Sequence, residues 1–79
     1  MNREEMVRFI KECVAQTYQA DADGLREDTN IIEEFGTKSM QRLALCALIE
    51  NETDVVLSLG DMGKYPTIGE LADFVIQEG

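Results

Sequence analysis

Apolar side chains in the first part of the chain recur at intervals of three and four residues, which is the spacing of an amphipathic helix. We predict this first helix over about residues 2–19. Asn2 is the expected N-cap residue, and Glu4 and Glu5 then lie in the first turn, where the helix dipole favours negative charge. Residues 20–24 end the helix. Its predicted buried face consists of Met6, Phe9, Ile10, Cys13, Val14 and Thr17.

The connection that follows, residues 25–38, shows neither a helical nor an alternating pattern. A loop of this length is uncommon in a small domain unless its own side chains anchor it or it serves a function. We expect Leu25 and Phe35 to insert into the core. One of the neighbouring isoleucines, Ile31 or Ile32, is expected to do the same.

A second helical run follows Gly36 and begins near Ser39. It is apolar around most of its circumference and ends around residues 51–53. A helix of this kind is either central to the fold or has an exposed face that binds something. Its apolar members are Met40, Leu43, Ala44, Leu45, Cys46, Ala47, Leu48 and Ile49.

Residues 55–59 have the composition of a short strand. Because no second strand-like run exists to pair with them, we predict an extended loop, which leads to a short helical turn over residues 60–64. Thr67 and Glu70 then form the S/T-x-x-E capping box of a last helix, which ends before Gly79. The predicted buried face of this helix is Ile68, Leu71, Ala72, Phe74 and Val75.

These elements predict an all-α fold, a small four-helix bundle of three longer helices and one short helix, with a long loop between the first and second helices. A chain of 79 residues is long enough for one core, so we expect a single domain over residues 1–79. Its apolar runs are too short to span a membrane. Glu4 and Glu5, with no long apolar stretch after them, argue against a signal peptide.

The chain has 7 basic and 16 acidic residues, for a net charge of −9. This excess argues against nucleic acid as a partner, because binding to phosphates needs cations. It favours basic protein partners, or serves only solubility. There is no histidine, and Cys13 and Cys46 form no CxxC motif, so we predict no metal site. Both cysteines occupy apolar helical positions, which favours buried free thiols and a cytoplasmic protein over a disulfide.

One serine lies where the long loop meets the apolar helix, in the segment Phe35-Gly36-Thr37-Lys38-Ser39-Met40. A serine at this place can cap the helix by accepting a hydrogen bond from a backbone N–H. It can also present its hydroxyl to the active site of another protein, and a phosphodiester on it would lie at the positive end of the helix dipole. From the residues alone, the capping role is favoured.

The same segment resembles the L-G-x-D-S-L motif of acyl and peptidyl carrier proteins, in which the serine bears 4′-phosphopantetheine. Two further stretches resemble that family. Val56-Leu57-Ser58-Leu59 is similar to its V-x-L-P-L stretch, and Pro66-Thr67-Ile68-Gly69-Glu70-Leu71-Ala72 is similar to the P-T-I-x-x-L-A opening of its last helix. The serine-to-proline spacing also fits. The similarity covers residues 25–75, and the first helix agrees in pattern only.

This resemblance implies a carrier rather than an enzyme. It implies that a phosphopantetheinyl transferase attaches the arm from coenzyme A to Ser39, and that the arm holds acyl groups as thioesters for enzymes that transfer or ligate them. We expect the protein to act as a monomer. A set of apolar residues either lines a pocket for the acyl chain or is ordinary core, namely Leu45, Cys46, Ile49, Leu57, Leu59 and Met62.

The sequence also departs from the family. Lys38 stands where the family usually has an aspartate that helps engage the metal and the transferase during loading, so the local charge is reversed. Fatty-acid carriers have acidic residues along the second helix. In this sequence, the predicted second helix has no acidic residue before Glu50. Either family surfaces vary freely, or this protein has a more apolar docking surface and serves a specialised fatty-acid, polyketide, peptide or lipid pathway, which we favour. The residues predicted for that surface are Lys38, Met40, Leu43 and Ala47.

A second hypothesis is a carrier-like fold that bears no arm and serves as a protein-interaction module. Lys38 favours it, whereas Gly36 and Ser39, with the segment that opens the last helix, favour the carrier. An independent enzyme has almost no support, because the sequence has no histidine, no paired acid and base with recognisable spacing and no glycine-rich phosphate loop.

Overall fold

A computed structural model describes residues 1–36 and 38–79. The elements in chain order are α1 Arg3–Tyr18, a 3₁₀ turn Ala22–Gly24, α2 Ile31–Phe35, α3 Ser39–Thr53, α4 Leu59–Lys64 and α5 Ile68–Glu78. The predicted all-α bundle is confirmed, with α1, α3 and α5 as its longer helices and α4 as the short one. Among the described residues, no helix has the length and apolar character needed to cross a membrane.

Helix α1 begins with a capping box at the predicted N-cap residue. The Asn2 side-chain oxygen accepts a hydrogen bond from the Glu5 N–H at 2.8 Å, and the Asn2 N–H donates to the Glu5 carboxylate at 3.0 Å. These bonds satisfy backbone groups that the helix itself leaves without partners. Val7 joins the predicted buried face, whereas Phe9 and Thr17 are only partly buried.

The connection between α1 and α3 contains helical structure that we did not predict. Ile31–Phe35 form α2, a five-residue helix. Asn30 caps it, because its side-chain oxygen accepts a hydrogen bond from the Glu33 N–H at 2.9 Å. A helix this short produces no recognisable period in the sequence, so the prediction of an irregular loop is wrong at this point.

Backbone hydrogen bonds attach this connection to the start of α5. The Ile31 N–H donates to the Pro66 carbonyl at 2.8 Å, and the Ile68 N–H donates to the Thr29 carbonyl at 3.1 Å. Each of these bonds therefore joins residues that are far apart in sequence. They hold α2, and the chain entering α3, at a fixed place beside α5.

Gly69 allows the closest part of this approach. Its N–H donates to the Glu27 carbonyl at 2.8 Å, and a Cβ atom at residue 69 would lie 3.3 Å from that carbonyl oxygen and 3.1 Å from the Glu27 carboxylate. A larger side chain would therefore push the loop away from α5.

The loop is also anchored by the side chains that we predicted. Leu25 and Ile31 are buried, and Phe35 is half-buried against the core. Ile31, at 1% exposure, is the isoleucine that inserts. The Phe35 ring stacks on Tyr18 of α1, with ring centroids 4.6 Å apart, so the end of α2 is tied to the end of α1.

Helices α1 and α3 run antiparallel. Thr17, near the end of α1, shares a cleft with Met40 at the start of α3, and Phe9 shares another with Leu48 farther along α3. Helix α3 packs into the core through its buried side, formed by Leu45, Cys46 and Ile49.

The segment before α4 is extended, as predicted. Val55 and Leu57 are buried and Val56 between them is exposed, which is the alternation of an extended chain. Helix α4 begins one residue earlier than predicted. The Ser58 hydroxyl accepts a hydrogen bond from the Asp61 N–H at 3.0 Å in a second capping box.

Helix α5 begins at the predicted capping box, where the Thr67 hydroxyl accepts a hydrogen bond from the Glu70 N–H at 3.1 Å. Phe74, predicted to be on the buried face, is only partly buried and stacks on Tyr65, with ring centroids 4.9 Å apart. The fully buried residues of the helix are Ile68, Gly69, Leu71, Ala72 and Val75.

Arg3 joins three parts of the chain at the surface. Its guanidinium donates to the Glu27 carboxylate at 2.6 Å and to the Asp73 carboxylate at 2.7 Å, linking α1 to the long loop and to α5. The hydrogen bond from Arg3 holds the pKa of Glu27 below its usual value.

Replacement of Ile31 by alanine is expected to destabilise the protein by about 2–5 kcal/mol, because it leaves a cavity beneath the loop. Ile32→Ala removes the same atoms from a half-buried position and is the matched control. The free energy of unfolding from urea titration measures both. Equal losses in the two variants would contradict the assignment of Ile31 as the anchor.

Arg3→Gln is expected to lower stability at neutral pH but to have less effect in acid. The pKa of Glu27 is depressed in the folded protein, so the stability that this pair contributes is present above the unfolded value and is lost as pH falls through the folded value. The difference in unfolding midpoint between the variant and the wild type should therefore shrink below about pH 4.5. Arg8→Gln, at an exposed position of the same helix, is the control, and a difference that does not change with pH would count against the ion pair.

Candidate functional site at the start of α3

Ser39 is the first residue of α3 and is exposed to solvent. The N-cap residue is Lys38, whose backbone is extended and whose side chain makes no capping bond to a described residue. The capping interpretation of Ser39 is therefore wrong, because the serine lies inside the helix. Its hydroxyl is presented at the positive end of a 15-residue helix.

Gly36 lets the chain turn from α2 into α3. Its φ of +90° lies in a region that favours glycine, so the glycine of the serine motif has a backbone role. Thr37, in the same motif, lies outside the described residues.

The charges along α3 reinforce the helix dipole instead of compensating it. Lys38 precedes the helix and Arg42 follows Ser39 by one turn, whereas the acids Glu50 and Glu52 lie towards the other end. Basic residues are unfavourable at the positive end of a helix, and acids are unfavourable at its negative end. An anion attached to Ser39 would be stabilised by both cations and by the helix end, so these surroundings fit a phosphodiester.

The predicted docking residues lie on one side of α3. Met40 is 85% exposed and Leu43 is 53% exposed, and Ala47 and Lys38 are exposed as well. Spacings of three and four residues place Met40, Leu43 and Ala47 along one strip of the helix surface. The structure therefore brings these residues together beside Ser39, and their role in docking stays a prediction.

The predicted acyl-pocket residues belong mostly to the packed core. Five of the six are buried, and Leu59 is half-buried. The Cys46 sulfur lies 3.5 Å from the Met62 sulfur, so α3 and α4 meet through these side chains. The five buried residues belong to one core cluster, and Cys46 and Met62 are the two that are in direct contact between α3 and α4. Whether this contact admits an acyl chain stays a prediction, because an acyl chain could enter only if the side chains moved apart.

Both cysteines are buried and free, as the sequence predicted. Burial raises the pKa of the Cys13 thiol to about 11, and burial also raises the pKa of the Cys46 thiol above its ordinary value. Both thiols are therefore protonated at neutral pH, which makes them poor nucleophiles.

The sequence analysis missed a set of buried polar atoms in α1 and α3. The Thr17 hydroxyl, the Tyr18 hydroxyl and the Arg42 Nε atom are buried, and none of them has a hydrogen-bond partner among the described residues. Burial raises the pKa of Tyr18, which keeps its hydroxyl neutral. Thr17 was counted with the apolar face of α1, although a threonine at the edge of such a face is a signal that a polar group needs a partner.

Comparison with known proteins gives a consistent result. The sequence model of the family described as "Phosphopantetheine attachment site" matches residues 8–75. An acyl carrier protein of Lactobacillus acidophilus is 23% identical over 75 residues, covering 95% of this chain and 94% of that protein. An acyl carrier protein of Thermotoga maritima is 23% identical over 74 residues, covering 94% of this chain and 91% of that protein.

The family match extends over most of the chain and includes Ser39 and the three stretches whose resemblance was noted in the sequence. A covalently attached 4′-phosphopantetheine is the cofactor that such a match implies, and the exposed serine beside two cations fits it. The chain therefore belongs to the acyl carrier family of phosphopantetheine-bearing proteins.

Proposed function

We propose that this protein is a discrete acyl carrier whose arm is attached to Ser39. The observation that carries the proposal is the exposed hydroxyl at the first residue of α3, within the family match and at the serine of the motif. A phosphopantetheinyl transferase would join the Ser39 oxygen to the phosphate of the arm supplied by coenzyme A. When bound, the arm supplies the thiol that holds an acyl group as a thioester.

In this proposal the protein is a carrier without catalytic activity of its own. Its residues present the arm on Ser39 and form the surface that partner enzymes recognise. Lys38 and Arg42 balance the negative charge of the attached phosphate. Met40, Leu43 and Ala47 form the docking strip for enzymes that transfer or ligate the acyl group. The absence of acids in the first part of α3 supports partners of a specialised fatty-acid, polyketide, peptide or lipid pathway.

The remaining parts of the proposal concern the protein as a whole. We propose that residues 1–79 act as one domain, as a monomer and in the cytoplasm, where the two buried thiols stay reduced. Parting of Cys46 from Met62 would open the contact between α3 and α4 to an acyl chain, whose pocket would be lined by residues of the predicted set.

A carrier-like interaction module without an arm is the alternative, and the exposed Lys38 favours it. The charge reversal relative to the family motif weakens contact with a transferase that expects an acid there. The two proposals differ in one measurable property, namely whether Ser39 accepts the arm.

Incubation with coenzyme A and a promiscuous phosphopantetheinyl transferase is expected to add the mass of one arm, because the Ser39 hydroxyl is accessible. Intact-mass spectrometry measures the gain. Ser39→Ala should gain nothing, whereas Ser58→Ala, which removes the other serine, should still be loaded. No gain in the wild type, or a gain that survives Ser39→Ala, would rule out the carrier and leave the interaction module.

Lys38→Asp is expected to raise the initial rate of loading severalfold, because it restores the negative charge that the family motif has beside the serine. The time course of the mass gain measures this rate. Lys64→Asp makes the same charge change at an exposed position in α4 and should leave the rate near that of the wild type. If the two variants load at the same rate, Lys38 does not limit recognition.

A further inference from the structure

Arg42 is a neighbour of Ser39 on the surface of α3. Residues three positions apart on a helix lie on the same side, with their Cβ atoms about 5–6 Å apart. Long side chains on a helix also point back towards its N-terminus, over the preceding turn. This preference directs the Arg42 side chain towards the turn that begins with Ser39, whereas Lys38 precedes the helix and is exposed.

The Nε atom of Arg42 is buried and has no hydrogen-bond partner among the described residues. Arg3 and Arg26, by contrast, bind carboxylates. Buried polar groups are nearly always paired in folded proteins, because an unpaired group loses its hydrogen bonds to water and gains none in return. An unpaired donor next to Ser39 therefore fits an acceptor that the described residues do not supply.

The neighbours of Arg42 restrict its side chain. Burial raises the pKa of the Tyr18 hydroxyl, and the positive charge of Arg42 acts in the opposite direction. Burial and the charge of Asp61 raise the pKa of the Cys46 thiol, and Arg42 again opposes them. The guanidinium therefore lies close to both groups, and Tyr18 is itself stacked on Phe35 at the end of α2. Because Arg42 is half-buried in these surroundings, binding by its side chain costs less conformational entropy than binding by one that moves freely in solvent.

Arg42 and the docking strip lie on opposite sides of Ser39. At 3.6 residues per turn, each residue advances around the helix by about 100°. Arg42 is therefore about 60° to one side of Ser39, whereas Leu43 is about 40° and Met40 about 100° to the other side. A phosphate drawn towards Arg42 is moved away from Met40 and Leu43, which leaves these exposed side chains free to contact a partner.

We infer that Arg42 binds the phosphate of the arm on Ser39 through paired hydrogen bonds and sets the side on which the arm leaves the helix. A phosphodiester has two free oxygens that share one negative charge. The Nε–H and a terminal N–H of a guanidinium point in the same direction and match two such oxygens. Lys38 has an ammonium group, which attracts the phosphate only as a point charge. Arg42 is thus a positioning residue, and this role rests on the proposed function because it needs the arm on Ser39.

The test follows the Nε–H signals of the arginine side chains by NMR in the full chain before and after loading, with loading established first by intact mass. A hydrogen bond to phosphate is expected to move the Arg42 Nε–H proton signal downfield and to slow its exchange with water severalfold. The signal of Arg8, which is exposed, should stay in place and is the internal control. We also expect nuclear Overhauser contacts from the methylene group next to the phosphate to Arg42, and none to the methyl group of Met40.

Two variants separate the geometry of Arg42 from its charge. Arg42→Lys keeps the positive charge but lacks the paired donors, whereas Lys38→Gln removes a charge and leaves Arg42 in place. Loading is expected to lower the equilibrium constant for unfolding of the wild type severalfold, as measured by urea titration. Lys38→Gln should keep most of this effect and Arg42→Lys should lose most of it. Attraction between charges alone predicts the reverse order.

The outcomes separate this inference from the proposed function. If the wild type gains no mass, the proposed attachment fails and the role of Arg42 fails with it. If the wild type is loaded but the Arg42 signal moves no more than that of Arg8, the attachment stands and the role of Arg42 is overturned. Contacts between the arm and Met40 overturn the direction inferred for the arm. The role is also overturned if Arg42→Lys keeps the stabilisation that Lys38→Gln loses, and the wild-type signals alone decide if a variant does not fold.

Discussion

The backbone pairing between the long loop and the start of α5 determines where the rest of the structure can lie. The bonds that Ile31 and Ile68 make across this junction join segments that are distant in sequence, and Gly69 lets the two backbones approach. Each bond contributes modestly by itself, but together they leave the loop a single arrangement. Without them the loop would be held only by its side chains, and the direction in which the chain enters α3 would be less well defined.

Helix α3 is both central and exposed. Leu45, Cys46 and Ile49 are buried in the core, and Leu48 packs against the same cluster. The opposite surface then remains available, and it displays Met40 and Leu43 to solvent. Exposed side chains of this size are costly in a monomer unless they bind something, which is consistent with a protein that works through successive partners.

The sequence predicted well those elements in which the helical spacing of apolar residues is repeated over several turns, or in which a capping motif marks the start of the helix. The capping boxes at Asn2 and Thr67 and the repeat of apolar residues in α1 and α5 were enough to place those helices. The short helix α2 was missed because its stability comes from the Asn30 cap and from contacts with α5, which no local pattern records.

The site was predictable only in part, for a related reason. The motif and the helix start identified Ser39, but whether a serine caps a helix or stands one residue inside it depends on a boundary that sequence patterns locate only to within a few residues. The buried polar atoms of Thr17 and Arg42 could not be foreseen, since they depend on how α1 and α3 face each other.

The order of charges along α3 has a thermodynamic consequence. With cations at its positive end and acids towards its negative end, the helix is electrostatically unfavourable as it stands and is held by packing. In the proposed modified form, the phosphate on Ser39 would supply the negative charge that the first turn lacks. It would therefore stabilise α3 relative to the unmodified chain, so that attachment of the arm would also raise the stability of the fold.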